Sequence, residues 1–249
     1  MKILARYLLK LSYLGTNFCG WQVQPNGNTV QAELCTALKV IFNKDIGVTG
    51  CSRTDSGVHA NEFCCHFDVD TNIPTKNLIE AINHNTSKDI SVFDCFKVQD
   101  DFHARYSCIA KNYIYRICNS AQSNPFENGR ALWYKYPLDV EKMNIAAKQF
   151  IGEHDFSAFC SAGSSVESKV RNITDCLVSK SGNVITVSVT ANGFLYNMVR
   201  IIVGTLIEVG SGKRDENSIL STIDSREREN AGVTAPPDGL YLNKVFYKE

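Results

Sequence analysis

The sequence predicts an α+β fold built from two related halves. Strand-like and helix-like segments mix in both parts of the chain. Strand pairs joined by short turns occur, as at Arg171–Ser179 and Val184–Thr190. Segments of similar length and similar α/β content recur on either side of a turn-rich stretch, Asn119–Asp139. Hairpin-like pairing favours mostly antiparallel sheets over a doubly wound parallel one. The division is set at residues 1–104 and 105–249, with 119–139, rich in Pro125, Asn128, Gly129 and Pro137, as the bridge.

The first half opens with a strand over Arg6–Tyr13, where apolar and polar residues loosely alternate. Gly15–Asn28 is turn-rich. Thr29 is placed to cap a helix whose Val30, Leu34, Leu38, Ile41 and Phe42 recur at helical spacing. Glu33 lies four residues past the cap, one too many for a capping box. A strand over Phe63–Val69, a short helix over Thr75–Asn83 and a strand over Ile90–Val98 follow. In the second half, Lys111–Cys118 sets Tyr113, Tyr115 and Ile117 against Asn112, Ile114 and Arg116, the period of a strand. Val140–Phe150 is helical, and the hairpin turns at Lys180–Asn183. Leu195–Val209 reads as a strongly apolar helix broken at Gly204, Glu216–Ile223 as a short helix and Leu240–Tyr247 as the last strand.

With 249 residues, 44% apolar and 21% charged, the chain has the composition of a globular protein and not of a disordered one. Lys+Arg and Asp+Glu both number 26, so a nucleic-acid partner requires positive charge gathered on one face. Ten cysteines include no Cys-x-x-Cys, which disfavours zinc and thioredoxin-type chemistry. Reduced, mostly buried thiols in a cytoplasmic protein are expected. No apolar stretch is long enough to span a membrane, and Lys2, Arg6 and Lys10 interrupt any signal-type core.

Four runs carry candidate chemistry. Ser52-Arg53-Thr54-Asp55-Ser56-Gly57-Val58-His59-Ala60 lies between helix and strand; a plain Asx turn is its bland explanation, but the flanking Arg and His put several polar groups on one connection. Phe102-His103-Ala104-Arg105-Tyr106, followed by Lys111 and Tyr113, interleaves basic and aromatic residues, as suits phosphate contact and base stacking. Ala191–Arg200 places Arg200 in an apolar helix, where it must either snorkel or find a partner. Ala231–Leu242, with two prolines and two glycines, reads as a close-packed connection into the last strand. Gly210-Ser211-Gly212-Lys213 hints at a phosphate loop, but Arg214 stands where Ser or Thr is needed.

Taken in this order, with Gly20-Trp21-Gln22, Gln24, Thr29-Val30-Gln31 and His154-Asp155-Phe156, these runs resemble the tRNA pseudouridine synthase A family from about Tyr7 to Tyr247. The resemblance implies isomerisation of uridine to pseudouridine at positions 38, 39 and 40 of the tRNA anticodon stem-loop, with no metal and no organic cofactor. It implies a homodimer, and two halves whose sheets join into one continuous sheet around a central basic cleft. Residue by residue, Asp55 matches the catalytic aspartate and Arg53 the arginine that helps extrude the nucleotide. Tyr113 matches the tyrosine that stacks on the uracil, and Arg200 the arginine that pairs with the aspartate. Phe102, His103, Ala104, Arg105 and Tyr106 fall in one RNA-contacting segment, with Lys111 after it as a further substrate-binding candidate; Ser165, Ser168, Lys169 and Arg171, in the loop from Ser164, fall in another. Ser52, Ser56, Ile201 and Cys64-Cys65 depart from the family pattern without removing a catalytic group. The rival functions are a non-catalytic RNA-binding protein, a uridine isomerase with other RNA targets, and a thiol or metal enzyme.

Overall fold

The structure is a computed structural model that describes residues 4–163 and 166–248. In chain order its elements are β1 (Ala5–Tyr13), α1 (Val30–Phe42), β2 (Thr49–Gly50), β3 (His59–Val69), α2 (Thr75–His84), β4 (Ile90–Val98) and β5 (Cys108–Asn119). They continue with β6 (Leu132–Tyr134), α3 (Val140–Lys148), β7 (Gly152–Asp155), β8 (Val170–Ser181) and β9 (Val184–Ala191). The chain ends with α4 (Met198–Gly210), α5 (Ile219–Ser225) and β10 (Leu240–Tyr247). The class is α+β, with mostly antiparallel strand pairs; β10 joins β3, and β6 joins β5, in parallel.

Contacts divide the chain into two compact units. One runs to Ile109 and takes back the chain from Tyr241; the other runs from Ala110 to Leu240. The sequence reading divided the chain once, after residue 104. The last strand instead returns to the first unit, because Tyr241 and Leu242 pair with His59 and Ala60.

In the first unit the strand order is β4-β1-β3-β10, with β2 on β3. Alternation along β1 sends Tyr7, Leu9, Leu11 and Tyr13 to one buried face. They share the core with Phe63, Cys65 and Phe67 of β3 and with the apolar stripes of α1 (Val30, Leu34, Ala37, Leu38) and α2 (Leu78, Ile82). Arg6 and Lys10 alternate to the other face, where Arg6 meets Asp68 at 2.7 Å and Lys10 meets Glu62 at 3.8 Å. Thr29 caps α1 as expected, accepting the Ala32 N–H at 3.3 Å. Glu33, out of register for a capping box, accepts instead from the Asn28 amide and the Ser87 N–H.

In the second unit the order is β5-β9-β8-β7, with β6 on β5. The stretch Asn119–Asp139 is not a bridge between halves; it folds inside this unit. The Asn119 side-chain amide donates to the carbonyls of Tyr134 (2.9 Å) and Tyr136 (2.7 Å), and β6 pairs with β5. α4 is not broken at Gly204, and it starts at Met198, after a turn with Asn197 at φ 61°. A Cβ on Gly204 would sit 1.7 Å from the Val233 carbonyl oxygen. This glycine therefore serves close approach of the 231–235 loop, not a break. α4 is buried on nearly every side, as its composition requires. Gly210–Lys213 is the C-cap of α4: Gly212 N–H bonds Val209 O and Lys213 N–H bonds Glu208 O, both at 2.9 Å. That is a Schellman motif, and a helix C-terminus disfavours phosphate.

Candidate active site

Asp55 sits on a turn held from several directions. The Val58 N–H bonds the Asp55 carbonyl at 3.2 Å, and Gly57 takes φ 80°. This is the positive-φ third position of a type II turn. The turn-rich segment before α1 lies against it. The Phe18 carbonyl accepts from the Gly57 N–H and the Ser56 hydroxyl, both at 3.3 Å, and the Trp21 N–H donates to the Thr54 carbonyl at 3.1 Å. Thr54 is buried, and its hydroxyl pairs with the Tyr13 hydroxyl at 2.9 Å. Two glycines permit this approach. A Cβ on Gly15 would lie 2.0 Å from Val58 O, and one on Gly20 (φ 88°) 2.5 Å from Thr54 O. Trp21 anchors the segment, stacked on Phe63 with ring centroids 4.0 Å apart and facing Gly50. Arg53 is exposed and Asp55 half-buried, so the turn presents both functional groups while burying the threonine between them.

Behind the turn, His59 Nδ1 accepts the Gly15 N–H at 2.9 Å, and its ring stacks on Tyr241 at 4.6 Å. The ring is buried, so this histidine braces the loop from within.

Also in the first unit, Phe102–Tyr106 forms a compact turn. Arg6 donates to the carbonyls of Asp100 and Phe102, both at 2.7 Å, and the Tyr247 hydroxyl donates to the Ala104 carbonyl at 2.8 Å. Ala104 is fully buried, whereas Arg105 is exposed and Tyr106 is 77% exposed. The Arg105 guanidinium lies 5.8 Å from the Tyr106 ring centroid.

The second unit carries the other predicted residues. Tyr113 is buried in β5 opposite Val189, and its ring meets Phe194 edge-on at 5.0 Å. Lys111 is half-buried opposite Ala191. Arg200 is half-buried on α4; its Nε donates to Ala235 O at 2.6 Å and one terminal nitrogen to Asn197 Oδ1 at 2.8 Å. The first of these bonds ties Arg200 to the loop before β10. That loop is packed as its composition predicts: Arg228 donates to Ala231 O, Gly232 O and the Thr234 hydroxyl, and the Tyr115 hydroxyl to Pro236 O. Burial pushes the Tyr115 hydroxyl well above its ordinary value. Ser168 is exposed, Lys169 half-buried, and Arg171 donates to the carbonyls of Ser168 and Val170. Ser165 lies outside the described residues.

The sequence profile of the family described as tRNA pseudouridine synthase matches residues 11–107 and 146–248, taking in the Asp55 turn, Phe102–Tyr106 and Arg200. The chain belongs to the tRNA pseudouridine synthase family. Membership makes it an isomerase. Relatives agree along nearly the whole chain. "tRNA pseudouridine synthase A 2" of Clostridium perfringens is 46% identical over 239 residues, covering 96% of this chain and 98% of its own. "tRNA pseudouridine synthase A" of Staphylococcus aureus strain MRSA252 is 43% identical over 244 residues, 98% and 92% of the two chains. The Halalkalibacterium halodurans protein of that name is 48% identical over 233 residues, 93% and 89%.

For a pseudouridine synthase, the sequence reading named candidate reactive groups but not the residues that hold them. Tyr13, Gly15, Phe18 and Gly20 hold the Asp55 turn; the turn-rich spacing of Gly15–Asn28 and the Gly20-Trp21-Gln22 match singled out part of this support, but not Tyr13. His66 received no role at all. Among the described residues, no cluster of three His, Cys, Asp or Glu is placed to hold a metal ion, and no helix is long and apolar enough to cross a membrane. The ten cysteines are free thiols, and burial raises Cys64, Cys65 and Cys176 well above the ordinary range and Cys95 to about 12. Thiols so shifted are poor nucleophiles.

Proposed function

We propose that the protein converts uridine to pseudouridine at positions 38, 39 and 40 of the tRNA anticodon stem-loop, with Asp55 as nucleophile. The observation that carries this reading is the Asp55 turn: a half-buried carboxylate on a backbone clamped by Gly15–Trp21, within the Arg-Thr-Asp signature of the family. A nucleophile held on a rigid support loses little entropy when it attacks.

The reaction breaks the bond from ribose to uracil N1, turns the base and rejoins it through C5. The C5 proton leaves and N1 gains one, so formula and charge are unchanged and no redox partner or energy source is consumed. An aspartate can attack either the ribose carbon or the uracil ring. The target base must first leave its stack, at a cost of a few kcal/mol. Arg53, exposed beside Asp55, takes the role of holding the extruded nucleotide's phosphate. Tyr113 stacks on the uracil, recovering roughly 1–3 kcal/mol, and moves a proton in a later step. Arg200 supplies a positive charge to the catalytic set.

Arg105, Tyr106, Lys111, Lys169 and Arg171 supply phosphate and stacking contacts along the tRNA, whose binding weakens as salt rises. The enzyme acts in the cytoplasm as a homodimer that contacts tRNA through both subunits. Unmodified tRNA treated with the protein and mapped for pseudouridine tests the reading: the modification is expected at 38–40, and its appearance only elsewhere refutes the site assignment.

A further inference from the structure

His66 lies on the face of β3 that also carries Asp68, opposite Leu8 of β1, and is 6% exposed. Its Nδ1 accepts the backbone N–H of Ala104 at 3.1 Å. An acceptor at Nδ1 requires a neutral ring with its proton on Nε2. Ala104 is itself fully buried, so its N–H and C=O need partners within the fold. His66 serves the first, and Tyr247 the second at 2.8 Å. Arg6 fixes the neighbouring carbonyls of Asp100 and Phe102. The His66 ring also meets His103 edge-on at 5.0 Å and Phe102 at 6.5 Å. His103 in turn accepts the N–H groups of Arg105 and Tyr106 at 3.1 and 3.2 Å, and packs on the Tyr106 ring at 4.2 Å. Buried His66 is thus joined to exposed Tyr106 by continuous contacts, all within one unit.

We propose that His66 is a positioning residue for RNA binding: with Tyr247 it sets the backbone of the Phe102–Tyr106 turn, so that Arg105 and Tyr106 stand preformed as a platform for a phosphate and an unpaired base. A platform ordered before the ligand arrives loses less freedom on binding. A histidine that only fills the core needs no Nδ1 acceptor aimed at this N–H. The inference rests on the reading that this turn contacts tRNA, and the experiment separates the two.

Steady-state tritium release from tRNA carrying 5-labelled uridine gives KM and kcat for the full-length protein and four variants. His66→Leu removes the acceptor and raises KM roughly tenfold, the scale of one lost buried hydrogen bond, while kcat stays within about twofold of the parent. His66→Asn, whose side-chain oxygen can take the place of Nδ1, restores KM. Arg105→Ala raises KM whatever the state of His66. An unchanged KM in His66→Leu beside a raised KM in Arg105→Ala overturns the role of His66. An unchanged KM in Arg105→Ala overturns the RNA-contact reading and the proposal with it. Should His66→Leu fail to fold, Tyr247→Phe carries the test, because it removes the other bond to Ala104; an unchanged KM there is also refuting.

Discussion

Replacing Gly20 by alanine strikes the Asp55 turn without altering the Arg53 or Asp55 side chain. The new methyl would lie 2.5 Å from the Thr54 carbonyl oxygen and 3.1 Å from the Asp55 carbonyl carbon, where ordinary contact begins near 3.4 Å. Both obstacles are backbone and cannot rotate away. The positive φ of 88° costs a further 1–2 kcal/mol, roughly, for any residue with a Cβ. Adding about 1–3 kcal/mol for the overpacked contact gives a strain on the order of 2–5 kcal/mol. Strain paid by the whole fold lowers the melting temperature by about 10 °C. Relief by retreat of the turn moves Thr54 and Asp55 by about an ångström, a displacement that costs roughly 100-fold in rate. The assay is tritium release from 5-labelled tRNA beside a thermal melt. Gly20→Ala is expected to lose about 100-fold in kcat with tRNA affinity within about twofold. Gly47→Ala is the control, since a Cβ there meets nothing within 4 Å. Parental kcat and melting temperature in Gly20→Ala refute the clamp, as does an equal loss in Gly47→Ala.

Other perturbations test separate parts of the account. Thr54→Val removes the buried bond to the Tyr13 hydroxyl and is expected to cost about 1 kcal/mol in a denaturant titration; no loss of stability contradicts its support of the turn. Gly204→Ala drives a methyl against Val233 O and is expected to cost about 3 kcal/mol or more, where a helix-interior glycine with open space would gain stability. Burial, with Arg6 on β1 and His103 on the neighbouring turn, lowers the His66 pKa from 6.5 to about 4, against the pull of Asp68. The unfolded ring therefore takes its proton first as pH falls. Its contribution to stability is whole above pH 6.5 and is lost on the way down to about pH 4. His66→Asn flattens the stability profile in that window; an unchanged slope assigns the loss elsewhere. Tyr113→Phe is expected to bind tRNA normally and stall after binding, which single-turnover product analysis reads directly.

The fold class was legible because alternation along β1 and β5 and the Thr29 cap are local signals, and each sits where the pattern put it. β2, β6 and β7, of two, three and four residues, carry too few positions to show a period. Gly204 was misread because its reason is Val233, far along the chain; within the helix alone a glycine looks like a breaker. The bridge at 119–139 was misread on composition, when the Asn119 amide and the pairing of β6 with β5 fold the segment into the second unit. The candidate site divides the same way. Asp55, Arg53 and Arg200 stood out through their motifs. The contacts of Gly20 with Thr54 and of His66 with Ala104 span 34 and 38 residues, so the reason for either residue is not visible in its local pattern.

The central claim is that the Asp55 carboxylate carries the chemistry, and Asp55→Ala tests it most directly. With tRNA affinity measured on the same preparation, the account predicts binding within about twofold of the parent and no release of tritium from 5-labelled uridine. Tritium release by Asp55→Ala at the parental rate contradicts it.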